Sequence, residues 1–230
     1  MDRQAISNII PNKNKALMLA KKVLAELVCD AVNLEGINFT LPEVQTLLDG
    51  ITVGGHKLQD QEITLNQSLA WKKIFQDIQN DSFSVTKDYL LSLHAIAAKN
   101  EALEWRCFRT GGVTIAGTDY MPPSHKILDE CFHEMVKQSN KITDPYYQSI
   151  FIFLEMARTQ FFYDVNKRMG RFIMNGNLLS KGYPVINVPA SRQLEFNQKM
   201  LAFYESHNHQ EMTDFMLSCL NKNAIAIMSE

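Results

Sequence analysis

The stretch from residue 144 to residue 182 constrains the fold of this chain most. Asp144-Pro145 is a typical helix N-cap followed by a first-turn proline, and "YYQSIFIFLEMART" after it has apolar residues at helical spacing. A second apolar pattern runs from about Arg168 to Ser180 and ends at Lys181-Gly182. Two consecutive apolar helices must bury their stripes, so the sequence predicts a helical core built around this pair.

The rest of the chain is also mostly helical in its patterning. Thr40 and Glu43 form a capping box, and Ser124 is suited to cap a later helix. The β-branched residues, paired glycines and Pro-Pro of "CFRTGGVTIAGTDYMPP" (107–123) predict instead a short hairpin or flap. Amphipathic helices are predicted over residues 14–36, 39–50, 61–78, 85–100, 125–138, 191–206 and 211–227.

This pattern predicts an all-α helical bundle with a small β-hairpin flap. There is no internal repeat, low-complexity tract or long linker. We therefore expect an N-terminal helical region over residues 1–75 and a single compact core over residues 76–225.

Composition excludes several classes of partner. The 230 residues carry a formal net charge of -2, which leaves no electrostatic footprint for nucleic acid or for an anionic membrane. The longest apolar run, "IFIFL", is far too short to span a bilayer, and the N-terminus lacks the apolar core of a signal peptide. The four cysteines are scattered, so neither a disulfide framework nor a cysteine zinc site is expected. These features predict a cytoplasmic protein with no nucleic-acid or membrane partner.

The loop between the two central helices concentrates charged residues. Asn166 is well placed to cap the second helix, which would put Lys167, Arg168 and Arg171 on a helix N-terminus that already attracts anions. Cations at a positive helix end indicate a polyanionic ligand, and Asp164 offers an oxygen ligand suited to Mg²⁺. The alternative is that Asp164 pairs with one arginine while the other cations are solvated. Spacing alone leaves both interpretations open.

The loop residues "QFFYDVNKRMGR" (160–171) resemble the signature of the Fic family, HPFx(D/E)GN(G/K)RxxR. Three positions depart from it: Gln160 replaces His, Phe161 replaces Pro and Val165 replaces Gly. The matching residues are Phe162, Asp164, Asn166, Lys167, Arg168 and Arg171.

The resemblance extends over about residues 25–215. "NLEGINFTLPEVQTLLDG" is similar to the family's N-terminal inhibitory segment, although the Ser/Thr expected four residues before Glu35 is Ala31. Residues 107–123, with Arg109 in register, resemble the flap, and "RQLEFNQKMLAFYES" resembles a helix that walls the base pocket.

The resemblance implies a reaction that transfers AMP from ATP to a hydroxyl group of an unknown target protein, with Mg²⁺ held by Asp164. It implies that Glu35 is inhibitory and pairs with Arg171. Phosphate binding is assigned to Asn166, Lys167, Arg168, Gly170 and Arg171, and target binding by the flap to Val113, Ile115, Gly117, Thr118 and Asp119. A homo-oligomer remains open.

The departures bear on catalysis. The family's His is the general base, and the carboxamide of Gln160 has no useful basicity, so the resemblance implies weak or absent transfer, with Gln160 and Asn166 at the catalytic positions. The nearby residues are poor substitutes for this base, because Asp164 is needed for the metal and Tyr163 is a poor base. The alternative is a non-catalytic nucleotide-binding module that acts in regulation or protein interaction. If the family Gly has a positive φ, Val165 is strained there.

Five further histidine and phenylalanine positions carry weaker expectations. His207 and His209 form an HxH pair, but no carboxylate or cysteine stands nearby at metal-ligand spacing, so we expect solvated side chains. His94 is expected to be a hydrogen-bonded helix residue. Phe161 and Phe162 are expected to anchor the loop in the core.

Overall fold

The computed structural model describes residues 6–230, and eleven α-helices form almost all of its regular structure. Two single 3₁₀ turns, His125–Ile127 and Ala190–Arg192, precede α6 and α9. The helices are α1 (Lys13–Lys22), α2 (Leu24–Asn33), α3 (Leu41–Leu48), α4 (Leu58–Gln79), α5 (Lys87–Ala97), α6 (Leu128–Ser139), α7 (Pro145–Thr159), α8 (Asn166–Ser180), α9 (Gln193–Ser206), α10 (Gln210–Ser218) and α11 (Lys222–Met228).

The predicted all-α fold is confirmed, with local differences. The first predicted helix is divided at Val23, and the last is divided because the side chain of Asn221 caps α11. The capping box at Thr40 and the N-cap at Asp144 are present as predicted. α8 begins at Asn166, two residues before the predicted start.

α7 and α8 form the centre of the fold. Most of both helices is buried, and the short loop over residues 160–165 joins them. Gly170 allows close approach, because a Cβ there would lie 2.9 Å from the Phe153 ring and 3.1 Å from its carbonyl oxygen. Buried amides satisfy one another across the interface, where Asn177 donates to Gln148 (3.0 Å) and to the Ser149 hydroxyl (2.9 Å).

The N-terminal helices pack onto this centre through the same hydrophobic cluster. Val28 of α2, Val44 of α3 and Trp71 of α4 are buried in it, and the Trp71 ring lies edge-on to Phe172 of α8. α4 runs through the expected boundary between residues 75 and 76, so the division into two regions remains a proposal. The first five residues of the expected N-terminal region lie outside those that the structure describes. Within the described chain, no helix combines the length and apolar character required to cross a bilayer.

The flap over residues 107–123 contains no helix or strand and does not form the predicted hairpin. Among residues 6–230, the only bridge between extended segments joins Ile186 to Leu220, far from the flap. Side-chain contacts hold the flap instead. The buried Arg109 donates to the carbonyl oxygens of Gln160 (2.6 Å), Gly111 (2.6 Å) and Pro123 (2.5 Å). Because one guanidinium connects the flap to the central loop, a strand ladder is not needed to fix it.

His94 of α5 packs against the loop that joins α7 and α8. As predicted, it is a hydrogen-bonded helix residue: its Nδ1 accepts from the Arg106 amide (3.2 Å). Its ring stacks on Phe162 with centroids 3.7 Å apart. Burial, assisted by the charge of Arg168, lowers the pKa of His94 to about 4.

This buried histidine predicts a pH-dependent loss of stability. The folded pKa of His94 lies below the unfolded value of 6.5. Between these two values the unfolded chain therefore binds more protons than the folded chain, and stability falls as the pH falls. We expect the contribution of His94 to the free energy of unfolding to fall by about 2 kcal/mol between pH 7.5 and pH 5. Urea unfolding at both pH values measures this loss. His94→Gln keeps an acceptor for the Arg106 amide but does not titrate, so its loss should be smaller; equal losses would contradict the prediction.

Candidate functional site

A cavity of about 450 Å³ opens beside the loop that joins α7 and α8. This volume is in the range of small-molecule sites. Its walls come from the end of α2, the flap, the central loop and α9. The lining residues are Glu35, Thr114, Ile115, Ala116, Gln160, Tyr163, Asp164, Val165, Asn166, Lys167, Asn197, Met200, Leu201 and Tyr204.

Aromatic packing fixes the loop beneath the cavity. Phe161 and Phe162 are buried in the core, as predicted. Phe161 stacks on Phe108 with centroids 4.9 Å apart, and Phe162 lies on the His94 ring. The Arg109 amide also donates to the Phe161 carbonyl oxygen at 2.9 Å. The polar side chains of the loop are therefore presented by a rigid backbone.

Gln160 lies on the cavity wall with both ends of its carboxamide occupied. It ends α7 in the left-handed conformation, with φ 51°. Its Oε1 accepts from Asn166 Nδ2 at 2.8 Å, and its Nε2 donates to the Ala157 carbonyl oxygen. The side chain at the predicted base position thus connects the two ends of the loop and carries no basic group.

Asn166 has a different local role from the one predicted. It is the first residue of α8 and not the cap, which is Val165 without a side-chain hydrogen bond. The Asn166 Oδ1 accepts from the Phe162 amide at 2.9 Å, and its Nδ2 donates to the Phe162 carbonyl oxygen at 2.8 Å. Since no side chain caps α8, the amides of its first turn are left to bind a ligand.

Val165 adopts φ 59°, in the left-handed region. This is the conformation that a glycine adopts without strain and a β-branched residue does not. The Val165 side chain is nevertheless buried, with only 4% of the residue exposed. The loop therefore keeps its shape at a local cost, and the apolar contacts of the valine offset part of it.

Asp164 and Lys167 add charge to the cavity. Asp164 is exposed, and one carboxylate oxygen accepts from the Val165 amide at 2.7 Å. That leaves further oxygen lone pairs for a cation, so this donor fits Mg²⁺. Lys167 also lines the cavity, where its Nζ lies 3.5 Å from Glu35 Oε2.

Glu35 follows the end of α2 and closes one side of the cavity. Its Oε1 accepts from Arg171 Nη2 at 3.3 Å, which is the pairing that the resemblance implies. Burial opposes the charge of Glu35, but Arg171, Lys167 and Arg168 together outweigh it and hold the pKa of this carboxyl below its ordinary value. Glu35 is therefore an anion at neutral pH, in contact with the cations predicted to bind phosphate.

Arg168, Gly170 and Arg171 are not part of the cavity wall. Arg168 is buried and forms a bidentate pair with Glu101 through Nη1 and Nη2. Gly170 faces α7. A phosphate contact by Arg168 would require this pair to break, and its phosphate-binding role remains a prediction.

Of the predicted flap residues, Ile115 lines the cavity, together with its neighbours Thr114 and Ala116. Val113, Gly117, Thr118 and Asp119 are not part of the cavity wall. Gly117 turns the chain with φ 86°, and the Thr118 hydroxyl donates to Glu205 of α9 at 3.3 Å. Their role in target binding stays a prediction.

Several residues of the site were not predicted from the sequence. Glu101 lies in a turn after α5, and nothing local marks it as the partner of Arg168. Asn197 and Tyr204 belong to the helix whose resemblance to a base-pocket wall was noted, so that resemblance was the available signal.

The expectation that His207 and His209 have no carboxylate partner was wrong. Glu155 of α7 contacts both, with each Nε2 at 2.7 Å from Glu155 Oε1. This carboxylate is far from the histidines in sequence, and only the packing of α7 against the turn between α9 and α10 brings the three side chains together.

Residues 84–178 match the model of the Fic/DOC family. A relative from Drosophila mojavensis, the "Protein adenylyltransferase Fic", is 26% identical over 201 residues, which cover 84% of this chain and 39% of that protein. The chain thus spans about two fifths of this relative.

Solved structures share the fold. A Fic-domain-containing signalling protein from Bacteroides thetaiotaomicron superimposes with a TM-score of 0.78 over 99% of this chain and 95% of that chain, at 18% identity. The structure of IbpAFic2 covalently tethered to Cdc42 gives a TM-score of 0.55 over 93% of this chain and 66% of that chain, at 14% identity. At these identities the similarity establishes the fold.

The strain at Val165 is testable by comparing two truncations. Val165→Gly and Val165→Ala both remove buried methyl groups, but only glycine adopts φ 59° without strain. We expect Val165→Gly to be more stable than Val165→Ala by about 1 kcal/mol, the reverse of the order in an ordinary helix. Chemical denaturation measures both. A less stable glycine variant would mean that Val165 is not strained.

Proposed function

We propose that this chain, whose residues 84–178 match the Fic/DOC family, binds ATP with Mg²⁺ in the cavity beside the central loop and has the active-site architecture of proteins that transfer AMP to a protein hydroxyl. In this chain the transfer itself is weak or absent, because Gln160 occupies the position of the general base. The observation that carries the proposal is the cavity of about 450 Å³ at the uncapped start of α8.

The chemistry of the cavity suits a nucleotide polyphosphate. The first-turn amides of α8 and the ammonium of Lys167 are donors for phosphate oxygens. Bound Mg²⁺ would neutralise phosphate charge, and the carboxylate of Asp164 would hold it. Met200 and Leu201 of α9 provide apolar wall for a base.

Gln160 limits the transfer step. A general base in this position accepts the proton of the attacking hydroxyl, and its loss costs roughly 10² to 10⁴ in rate. The Gln160 carboxamide cannot accept that proton, and it is already hydrogen-bonded to Asn166 and to the Ala157 carbonyl oxygen. Phosphate binding does not depend on this base, so it can persist without transfer.

Glu35 acts as an inhibitor in this proposal. Its carboxylate contacts both Arg171 and Lys167, so it occupies cations that would otherwise bind the terminal phosphates. The Glu101–Arg168 pair withholds the other motif arginine in the same way. A triphosphate must therefore compete with two carboxylates for these cations.

The target is a protein segment bound along the flap. The flap backbone over residues 113–119 has no helix or strand and is not paired with another segment in the described chain, so its amides and carbonyl groups are available to pair with an incoming strand. The alternative function is a nucleotide-binding regulatory or interaction module without transfer. The inert amide of Gln160 favours it, and the following experiments separate the two.

Transfer is tested by incubating the protein with ATP labelled on the α-phosphate, Mg²⁺ and cell lysate. We expect negligible labelling by the wild type. Gln160→His should raise it by roughly 10² to 10⁴, and Glu35→Gly combined with Gln160→His should raise it most, because the base is restored and the cations are released.

Gln160→Ala is the matched control, because it breaks the bond to Asn166 without supplying a base. Its labelling should stay negligible. Strong labelling by the wild type would show that Gln160 does not disable transfer, whereas no labelling by the double variant would favour the non-catalytic alternative.

Nucleotide binding is tested separately by thermal shift with ATP and Mg²⁺. We expect Glu35→Gly to gain more stability from ATP than the wild type does, since Arg171 and Lys167 are free to bind phosphate. Asp49→Gly is the control, because Asp49 is an exposed carboxylate at the end of α3 outside the cavity wall. If ATP stabilises none of the three proteins, the cavity does not bind the nucleotide.

A further inference from the structure

We propose that Glu155, His207 and His209 form a binding site for a divalent transition-metal ion, with zinc as the representative ion. The site is distinct from Asp164 and does not depend on the proposed nucleotide chemistry. One carboxylate oxygen and two imidazole nitrogens all lie within 4.8 Å of one another. This donor set is one that zinc and related ions use in proteins.

The geometry of the three donors is close to that of a metal site. Each Nε2 lies 2.7 Å from Glu155 Oε1. Donors around one tetrahedral zinc ion, at about 2.0–2.2 Å from the metal, are about 3.4 Å apart. Each Glu–His pair therefore has to separate by only about 0.7 Å, and each ring needs its proton on Nδ1 so that Nε2 can ligate.

The backbone fixes both histidines. His207 ends α9 in the left-handed conformation, with its amide donating to the Phe203 carbonyl oxygen at 2.8 Å. His209 precedes α10, and its carbonyl oxygen accepts from the Thr213 amide at 2.9 Å. Because the two residues close one helix and open the next, the turn between them presents both rings to Glu155 of α7.

Aromatic side chains hold the rings in place. The buried Phe203 contacts the His207 and His209 rings, with centroids 5.8 and 5.2 Å away, and Phe151 stacks on His209 at 5.3 Å. Metal ligands that are oriented before binding lose little conformational entropy when the ion arrives. The nearby cation Arg158 makes its contacts elsewhere: its guanidinium lies over the Tyr120 ring and donates to the Tyr204 carbonyl oxygen.

The site is open to solvent on the histidine side. The His207 side chain is 44% exposed and that of His209 is 32% exposed, whereas Glu155 is 17% exposed. An ion can therefore enter from solvent, and one coordination position is left for water. The bound ion would tie the end of α9, which carries Met200 and Tyr204 of the cavity wall, to α7.

The test uses the purified 230-residue chain after removal of metal with a chelator. Zn²⁺ is titrated by isothermal calorimetry, and Co²⁺ is added as a spectroscopic probe because it reports ligand type. We expect one ion per chain and a Co²⁺ spectrum without thiolate charge transfer, which excludes the free cysteines as ligands. Thermal unfolding with and without Zn²⁺ should show an increase in Tm on binding.

Three variants make the assignment specific. Glu155→Gln keeps an oxygen acceptor for both histidines but loses the anionic ligand, and His209→Ala removes one nitrogen; each should weaken binding by about tenfold or more. His133→Ala is the matched control, since His133 is an exposed histidine on α6 outside the cluster, and it should bind as the wild type does. Tm values of the metal-free variants verify that each protein is folded.

Two results would overturn the proposal. The first is the absence of saturable binding in the wild type. The second is unchanged affinity in Glu155→Gln and His209→Ala while both remain folded. Either would identify the cluster as a hydrogen-bonded tie between α7 and the α9–α10 turn. Because ATP is absent throughout, neither result bears on nucleotide binding.

Discussion

The anchoring of the loop between α7 and α8 is the constraint on which the candidate site depends. Buried Phe161 and Phe162 hold the loop in the core, and the Arg109 guanidinium holds it from the flap side. This support sustains a left-handed valine at residue 165, a conformation that the residue would not adopt alone. Because the loop cannot relax, the first turn of α8 remains directed toward the cavity.

Two carboxylates neutralise the cations at the start of α8. Glu35 and Glu101 each pair with one motif arginine, and Glu35 also contacts Lys167. Without them, buried guanidinium groups would lack counter-ions, which is costly at low dielectric. In the proposed function, the same pairs that make the arginines tolerable in the fold would also withhold them from phosphate. Stability and inhibition therefore have one physical origin in the proposed function.

At residue 160 the chain has a glutamine where the motif that it resembles has a histidine. Gln160 still lies on the cavity wall and bonds to Asn166, so it closes the loop through hydrogen bonds. What is missing is basicity. One turn earlier on α7, Glu155 meets two histidines, so the imidazoles near this end of α7 belong to a cluster separate from the loop.

Local pattern was sufficient for much of the fold. Apolar periodicity and capping residues such as Thr40 and Asp144 predict the helices, because these signals depend on neighbours within a few residues. The sequence pattern gave a wrong prediction where contacts between residues distant in sequence determine the backbone conformation. The flap has strand-like residues, yet Arg109 satisfies carbonyl groups around it and no ladder forms.

The motif and its departures could be read from the sequence by itself: the cations at the start of α8, the amide at residue 160 and the valine at residue 165. Only the tertiary structure decided how these groups are paired. Arg168 meets Glu101, Arg171 meets Glu35, and His207 and His209 meet Glu155. The reason is physical: a charge selects its partner by proximity in space, and proximity between residues remote along the chain is set by how the helices pack.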